Sequence, residues 1–132
     1  GASRPWQHVL DCLAGYLSLI EKIDGGLVPG SGAWNFGPNH SEAVLVSDVV
    51  SRAKEYLGEL APTFSVEKSE TREESYLSLN SSKANFLLEW TNYYSLDEAV
   101  RDSLSEAVAP GSWDARTHIL SEIDRLLSRR PS

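Results

Sequence analysis

Apolar residues recur at helical spacing in several stretches of the chain. Trp6, Val9, Leu10, Leu13, Leu17 and Ile20 form one stripe, and the spacing predicts a helix from about Pro5 to Lys22 that packs through that stripe. Pro5 suits the first helical position, where the missing N–H would have no partner anyway. Gly25 and Gly26 end the element. Val46, Val49, Val50, Ala53, Leu57 and Leu60 keep the same period. A second helix is expected there, with Ser47 as its cap and Asp48 in its first turn. It ends near Gly58, and Pro62 blocks continuation. A short third helix runs to about Leu88, capped by Asn80 or Ser81. Ser95-Leu96-Asp97-Glu98 reads as a capping box, a hydroxyl at the cap and a carboxylate three residues on. It opens a fourth helix that Pro110-Gly111 closes. The fifth starts near Asp114, carries Ile119, Leu120, Ile123, Leu126 and Leu127 on one face, and stops before Pro131.

Strand signals are short. Ala33-Trp34-Asn35-Phe36 is an apolar-aromatic strand candidate broken by Gly37-Pro38. Residues 63–67 and 76–79 alternate enough for two more, with 27–32 and 68–74 as loops. The inventory is five helices and two or three short strands, a mixed, helix-rich α/β class with no internal repeat. Strands this short are marginal unless they join a larger sheet. Nearly every helix has an apolar face that needs cover. The pattern favours strands that extend a sheet lying elsewhere.

Composition narrows the class. At 132 residues, 41% hydrophobic and 23% charged, the chain reads as one globular domain or part of one, neither disordered nor membrane-spanning. Its net charge of −7 would repel a phosphate backbone, so nucleic acid is not an expected partner. The basic group Arg125, Arg129 and Arg130 suits a helix C-terminus. The single cysteine, Cys12, forms no internal disulfide, and no signal-like start precedes it. A cytoplasmic protein is expected, with no membrane partner. Residues 1–3 read as an expression-vector remnant and are set apart from the domain, 4–132. Trp6, Trp34, Trp90 and Trp113 are expected to be core anchors.

Several blocks, taken together, carry a resemblance: Arg4-Pro5-Trp6-Gln7-His8-Val9, then Gly15-Tyr16-Leu17, then Trp34-Asn35-Phe36-Gly37-Pro38, then Tyr76-Leu77-x-Leu79-Asn80-Ser81-Ser82-Lys83-Ala84 with Trp90. Joined by Asp114-Ala115-Arg116 and Ile123, they resemble the C-terminal half of CDP-glucose 4,6-dehydratases, members of the extended short-chain dehydrogenase/reductase superfamily. The resemblance implies a substrate-binding portion that donates short strands to the edge of a Rossmann sheet and forms one wall of a CDP-sugar site. It also implies a parent lyase using NAD. Only three residues precede the first block, so the Rossmann half is expected to be absent, and with it the cofactor site. No glycine-rich turn joins a strand to a helix, and no tyrosine has a lysine four residues on. The chain alone is therefore expected to hold no cofactor and no catalytic residue, and to have no dehydratase activity. It is also expected to self-associate through the face that the absent half would cover.

The resemblance singles out four substrate-binding candidates. Arg4 matches an arginine that contacts the nucleotide diphosphate, and a guanidinium suits paired phosphate oxygens. Arg72 and Glu73 stand where the family has a substrate-facing His-Glu pair, so Arg72 departs from the pattern while Glu73 matches. Asn35 offers an amide ahead of a turn, although such asparagines more often fix local backbone. His8 and Cys12 lie four apart on one predicted helix, a spacing that can place two metal ligands on one face, but further ligands are lacking. They read as a capping or packing residue and a small core residue. A different class of function also fits: a stand-alone acidic helical domain whose apolar faces bind a protein partner.

Overall fold

A computed structural model describes residues 2–38, 44–63, 76–111 and 114–130. The described residues form five α-helices and a two-stranded antiparallel sheet: β1 Ser3–Arg4, α1 Val9–Asp24, β2 Val44–Leu45, α2 Val46–Leu57, α3 Ser82–Leu88, α4 Leu96–Val108 and α5 Ala115–Arg129. A single turn of 3-10 helix, Gly58–Leu60, extends α2. The helix-rich mixed class read from the sequence holds. No helix among the described residues is long and apolar enough to cross a membrane.

Local chemistry sets most helix ends. The Ser95 hydroxyl accepts the Glu98 amide, and the Glu98 carboxylate accepts the Ser95 amide at 2.8 Å, completing the expected capping box. The Asp114 carboxylate accepts the Thr117 amide at 2.8 Å to open α5. Gly58, at φ 55°, closes α2 in a region that side chains disfavour. Asn80 and Ser81 divide the third cap. The Asn80 side chain accepts the Ser82 amide at 2.9 Å, while Ser81 holds the cap position with its hydroxyl turned elsewhere.

Four expectations are corrected. α1 begins at Val9, not Pro5, because Arg4 is held in β1 opposite Val44, and the chain then turns over Pro5 with the Trp6 amide on the Arg4 carbonyl. Ser47 lies inside α2, where its carbonyl accepts the Ser51 hydroxyl; Leu45 occupies the cap position. Residues 33–36 run outside any strand, and Tyr76 makes only one parallel bridge, to Ser3. Ser3 is buried and pairs with Leu45, which leaves the separation of residues 1–3 from the domain untouched. The strand expected over 63–67 falls almost wholly outside the described residues.

The fifth correction concerns burial. α1 buries Asp11, Ala14, Gly15 and Ser18. The stripe read as its packing face points outward, with Val9 65% and Ile20 61% exposed. On α5 only Leu126 of the apolar face is buried. One core cluster joins Val28, Phe36, Ala84, Leu88 and Trp90, with half-buried Cys12 and Trp34 against it. A second joins Ala14, Tyr94 and Leu126. Of the expected tryptophan anchors, Trp90 is fully buried, Trp34 half-buried and Trp6 exposed; Trp113 lies outside the described residues.

Candidate functional site

Two of the four candidate residues can be placed. Arg4 is half-buried in β1, and its Nη1 donates to the Ser3 carbonyl at 2.9 Å. Asn35 is exposed, and its Nδ2 donates to the Asn80 carbonyl at 3.3 Å, a backbone-fixing role. Arg72 and Glu73 lie outside the described residues. The segments bearing Arg4 and Asn35 are tied together by Gln7, whose Nε2 donates to the Phe36 carbonyl at 2.8 Å.

The sequence blocks that carry the resemblance meet around Phe36. The Gly37 amide donates to Ser81 Oγ at 2.8 Å, and Ser81 Oγ donates back to the Gly37 carbonyl at 3.2 Å. Lys83 Nζ donates to the Ala33 carbonyl at 3.0 Å and sits 4.0 Å from the Trp34 ring centroid. Phe36 makes edge-on contacts with Tyr16 and Trp90, both at 5.3 Å between centroids. A Cβ on Gly15 would lie 2.3 Å from the Phe36 ring, and one on Gly37 would lie 2.6 Å from Leu79 Cβ. These glycines are therefore set by close approach. Gly15, Phe36, Gly37, Ser81, Ala84 and Trp90 of these blocks are buried and build the core, while Trp6, Tyr16, Asn35, Tyr76 and Lys83 are exposed.

A polar cluster that sequence reasoning missed lies where α1, α4 and α5 converge. His8 caps α1: its Nδ1 accepts the Leu10 amide at 3.1 Å. Its ring stacks on Tyr94 at 4.3 Å, and Nε2 lies 3.5 Å from an Asp102 carboxylate oxygen. Arg125 pairs with both Asp102 and Glu122. The Tyr94 hydroxyl donates to the Glu122 carbonyl at 3.1 Å. Burial lowers the His8 pKa, against the pull of Asp102 and Asp11. Burial, with the Glu122 charge next, raises that of Asp102 despite Arg125. Burial opposes charge on Arg125 too, but its bond to Glu122 and the Asp102 charge outweigh this and raise its pKa.

His8, Asp102 and Glu122 each bring one ligand-type atom within 4.8 Å of the others. The chemistry of the donor set speaks against a metal. A neutral imidazole that accepts at Nδ1 carries its proton on Nε2, the nitrogen facing Asp102. Metal binding at Nε2 would need that proton gone and would turn Nδ1 into a donor, breaking the helix cap. Arg125 already occupies both carboxylates. The cluster is a staple between three helices. His8 and Cys12, the spaced pair of the sequence, do not form a joint site: His8 faces Tyr94 and Asp102, while Cys12 packs against the Phe36–Trp90 cluster.

Asp11 is the other buried charge-bearing side chain. Its carboxylate accepts the Tyr93 amide at 2.7 Å and the Asn92 amide group at 3.3 Å, and its carbonyl accepts Trp90 Nε1 at 2.9 Å. Desolvation raises its pKa, with the Tyr93 and Asn92 hydrogen bonds opposing. It fixes the 90–94 loop over α1.

Two clefts open between α2 and α4. One, of about 670 Å³, is polar and includes Asp48, Arg52, Glu55, Asp97 and Arg101, with Arg52 and Asp97 ion-paired. The other, of about 300 Å³, is mostly apolar, with Trp6 at its wall beside Val49, Ala53, Leu96 and Val100. The polar groups of Gln7 and Ser103 on this cleft are engaged with Phe36 and Ala99 carbonyls. Among the described residues, no helix opens from a glycine-rich turn; the cap positions are His8, Leu45, Ser81, Ser95 and Asp114. None of these is the glycine turn between a strand and a helix that cradles a dinucleotide pyrophosphate.

Part of the chain is similar to a known protein. Over 97 residues, 74% of the chain, it is 34% identical to a CDP-glucose 4,6-dehydratase of Salmonella typhimurium. The chain is related to part of that enzyme. The match spans 27% of the enzyme's length, so the chain covers about a quarter of it. No protein-family model matches the chain.

Proposed function

We propose that this chain is the substrate-binding portion of a sugar-nucleotide 4,6-dehydratase acting on CDP-glucose, and that it forms one wall of the CDP-sugar site without carrying out the reaction alone. The observation behind this reading is the 34% identity to part of a CDP-glucose 4,6-dehydratase. The segment 4–7 and the segment 33–37, joined by Gln7, are the proposed wall, and the Arg4 guanidinium, whose Nη1 also donates to the Ser3 carbonyl, is its proposed diphosphate contact. Arg72 and Glu73 are further proposed contacts, on the strength of the family resemblance alone. NAD and the proton-transferring groups are proposed to belong to a different portion of such an enzyme.

Titration of the isotopically labelled chain with CDP-glucose tests this by amide chemical shifts. Saturable shifts at residues 4–7 and 33–37, repeated with CDP but not with glucose, are expected. An Arg4→Ala variant should bind roughly tenfold more weakly, the loss of one charge-assisted contact of about 1.4 kcal/mol. Absence of shifts at millimolar CDP-glucose would overturn the binding role, and NAD-dependent turnover by the purified chain would overturn its inactivity.

A second reading is a stand-alone acidic helical domain that binds a protein partner. It is favoured by the outward apolar faces of α1 and α5 on a chain of net charge −7. The same titration separates the two, because this reading expects no response to CDP.

A further inference from the structure

Three side chains link the interior of α1 to the turn at Phe36. Asp11 is fully buried. One of its carboxylate oxygens accepts the Tyr93 amide at 2.7 Å, and the other accepts Asn92 Nδ2 at 3.3 Å. The same Nδ2 donates to Gln7 Oε1 at 3.4 Å, and Gln7 Nε2 donates to the Phe36 carbonyl at 2.8 Å. An ionised carboxylate only accepts, so the Asn92 amide must present its nitrogen to Asp11. That nitrogen also meets the oxygen of Gln7, which leaves the nitrogen of Gln7 to face Phe36. The orientation leaves Asn92 Oδ1 buried without a hydrogen-bond partner among the described residues, a state that buried polar groups avoid. Asn92 therefore does not point this way for its own sake. Asp11 dictates the direction of both amides.

We propose that Asp11 and Asn92 are positioning residues for the wall formed by 4–7 and 33–37, and that they act by fixing the Gln7 amide. The binding role of that wall rests on the sugar-nucleotide reading above; the relay of hydrogen bonds does not. Asn80, Ser81 and Lys83 tie 33–37 to the start of α3. Gln7 ties it to the segment that bears Arg4. An isosteric change at Asp11 isolates the relay. In Asp11→Asn the Tyr93 amide still needs an oxygen, so the new NH2 group takes the place of the oxygen facing Asn92. Asn92 must then turn its Oδ1 toward that group. Gln7 meets an oxygen where it had a donor, and turns its own NH2 toward Asn92. Its Oε1 is left against the Phe36 carbonyl, acceptor against acceptor. Replacing one carboxylate by an amide thus breaks a hydrogen bond two side chains away.

Nuclear magnetic resonance of the isotopically labelled chain, with no ligand added, tests the relay. The Phe36 carbonyl carbon reports the hydrogen bond from Gln7. Gln7→Ala should move that resonance upfield, and Asp11→Asn and Asn92→Leu should each move it the same way. The Tyr93 amide should stay protected from exchange in Asp11→Asn, since it keeps an acceptor. In Asp11→Asn combined with Gln7→Ala the shift should equal that of Gln7→Ala alone, because both changes break the same bond. An unmoved Phe36 carbonyl in Asp11→Asn or Asn92→Leu overturns the proposal, as does a double variant whose shift is the sum of the two. Should Asp11→Asn fail to fold, Asn92→Leu decides alone. Titration with CDP-glucose then reads the wall. Asn92→Leu should weaken binding roughly fivefold, the equivalent of one hydrogen bond between neutral groups. Unchanged affinity overturns the positioning role and leaves the sugar-nucleotide reading standing. If the parent chain binds no CDP-glucose, the sugar-nucleotide reading fails, and the carbonyl shifts still decide the relay.

Discussion

The Leu10 amide donates to His8 Nδ1 at 3.1 Å, so the first turn of α1 is closed by an imidazole that must be unprotonated at that nitrogen. The opposite edge of the ring faces Asp102, and Asp11, Glu122, Arg125 and Tyr94 also surround it. Its folded pKa is lowered from 6.5, chiefly by burial. A lowered folded pKa means that the unfolded chain binds the proton first as pH falls. The stability contributed by the neutral ring is complete above 6.5 and is lost as pH drops through the folded value. Asp102 and Asp11 have raised pKa values and act with the opposite sign in a window that opens at 3.8 and closes at their folded values. Thermal midpoint should therefore decline from pH 7.5 to pH 5.5. His8→Asn, which retains an acceptor at the cap, should flatten that decline. Equal slopes for the two proteins in thermal melts would remove His8 as the cause.

Gly15 faces Phe36 too closely for any side chain. Its added Cβ would lie 2.3 Å from the ring, against a ring that Trp90 and Tyr16 hold from two sides. Gly15→Ala should destabilise the chain by about 1–3 kcal/mol, the usual cost of overpacking a core. Gly30→Ala is the control. Its Cβ would meet Ile23 at 3.5 Å, an ordinary contact, and the midpoint of urea unfolding should barely move. The two variants together separate a packing effect from a general effect of alanine on backbone entropy.

Elements governed by neighbours a few residues away were legible. The Ser95–Glu98 box, the Asp114 cap and the glycine stop of α1 depend on local spacing alone. The start of α1 was not, because Pro5 fits both a first helical turn and the tight turn that follows β1. The pairing of Ser3 with Leu45 decided between them. Two-residue strands have no period to read. Periodicity also identified the apolar faces of α1 and α5 but could not say whether they are covered. The residue types in the stripe are those of a core, and only the packing of Ala14 and Asp11 reveals which face is inside. The site was least legible. Asn35 was singled out for its amide, which goes to the Asn80 backbone. The cluster of His8, Asp102, Glu122 and Arg125 is assembled from three helices, with no motif to join them.

Asp11 tests the buried loop anchor. It is fully buried and accepts the Tyr93 amide and the Asn92 side chain. Asp11→Ala removes both acceptors and leaves the Tyr93 N–H without its partner. A loss of about 1–3 kcal/mol is expected. Hydrogen exchange should locate the defect, with faster exchange at the Tyr93 amide while α4 and α5 stay protected. Uniform loss of protection would mean that Asp11 supports the whole core and not the loop alone.

Arg125 holds two carboxylates that repel each other. Asp102 and Glu122 both pair with it, and its guanidinium also lies 5.1 Å from the Tyr94 ring centroid. Arg125→Met keeps the aliphatic stem that packs beside Tyr94 but removes the charge. At pH 7 two partly buried carboxylates then face each other without a cation, and a loss of about 2 kcal/mol is expected, within the range for hydrogen bonds to charged groups. Without the arginine the Asp102 pKa rises further, since the opposing positive charge is gone. The folded variant therefore takes up a proton that the unfolded chain releases, and its deficit relative to the parent should shrink as pH falls toward 4.5. Urea unfolding of both proteins at the two pH values measures this. A deficit that is constant with pH would assign the loss to the packing of the arginine stem and not to its charge.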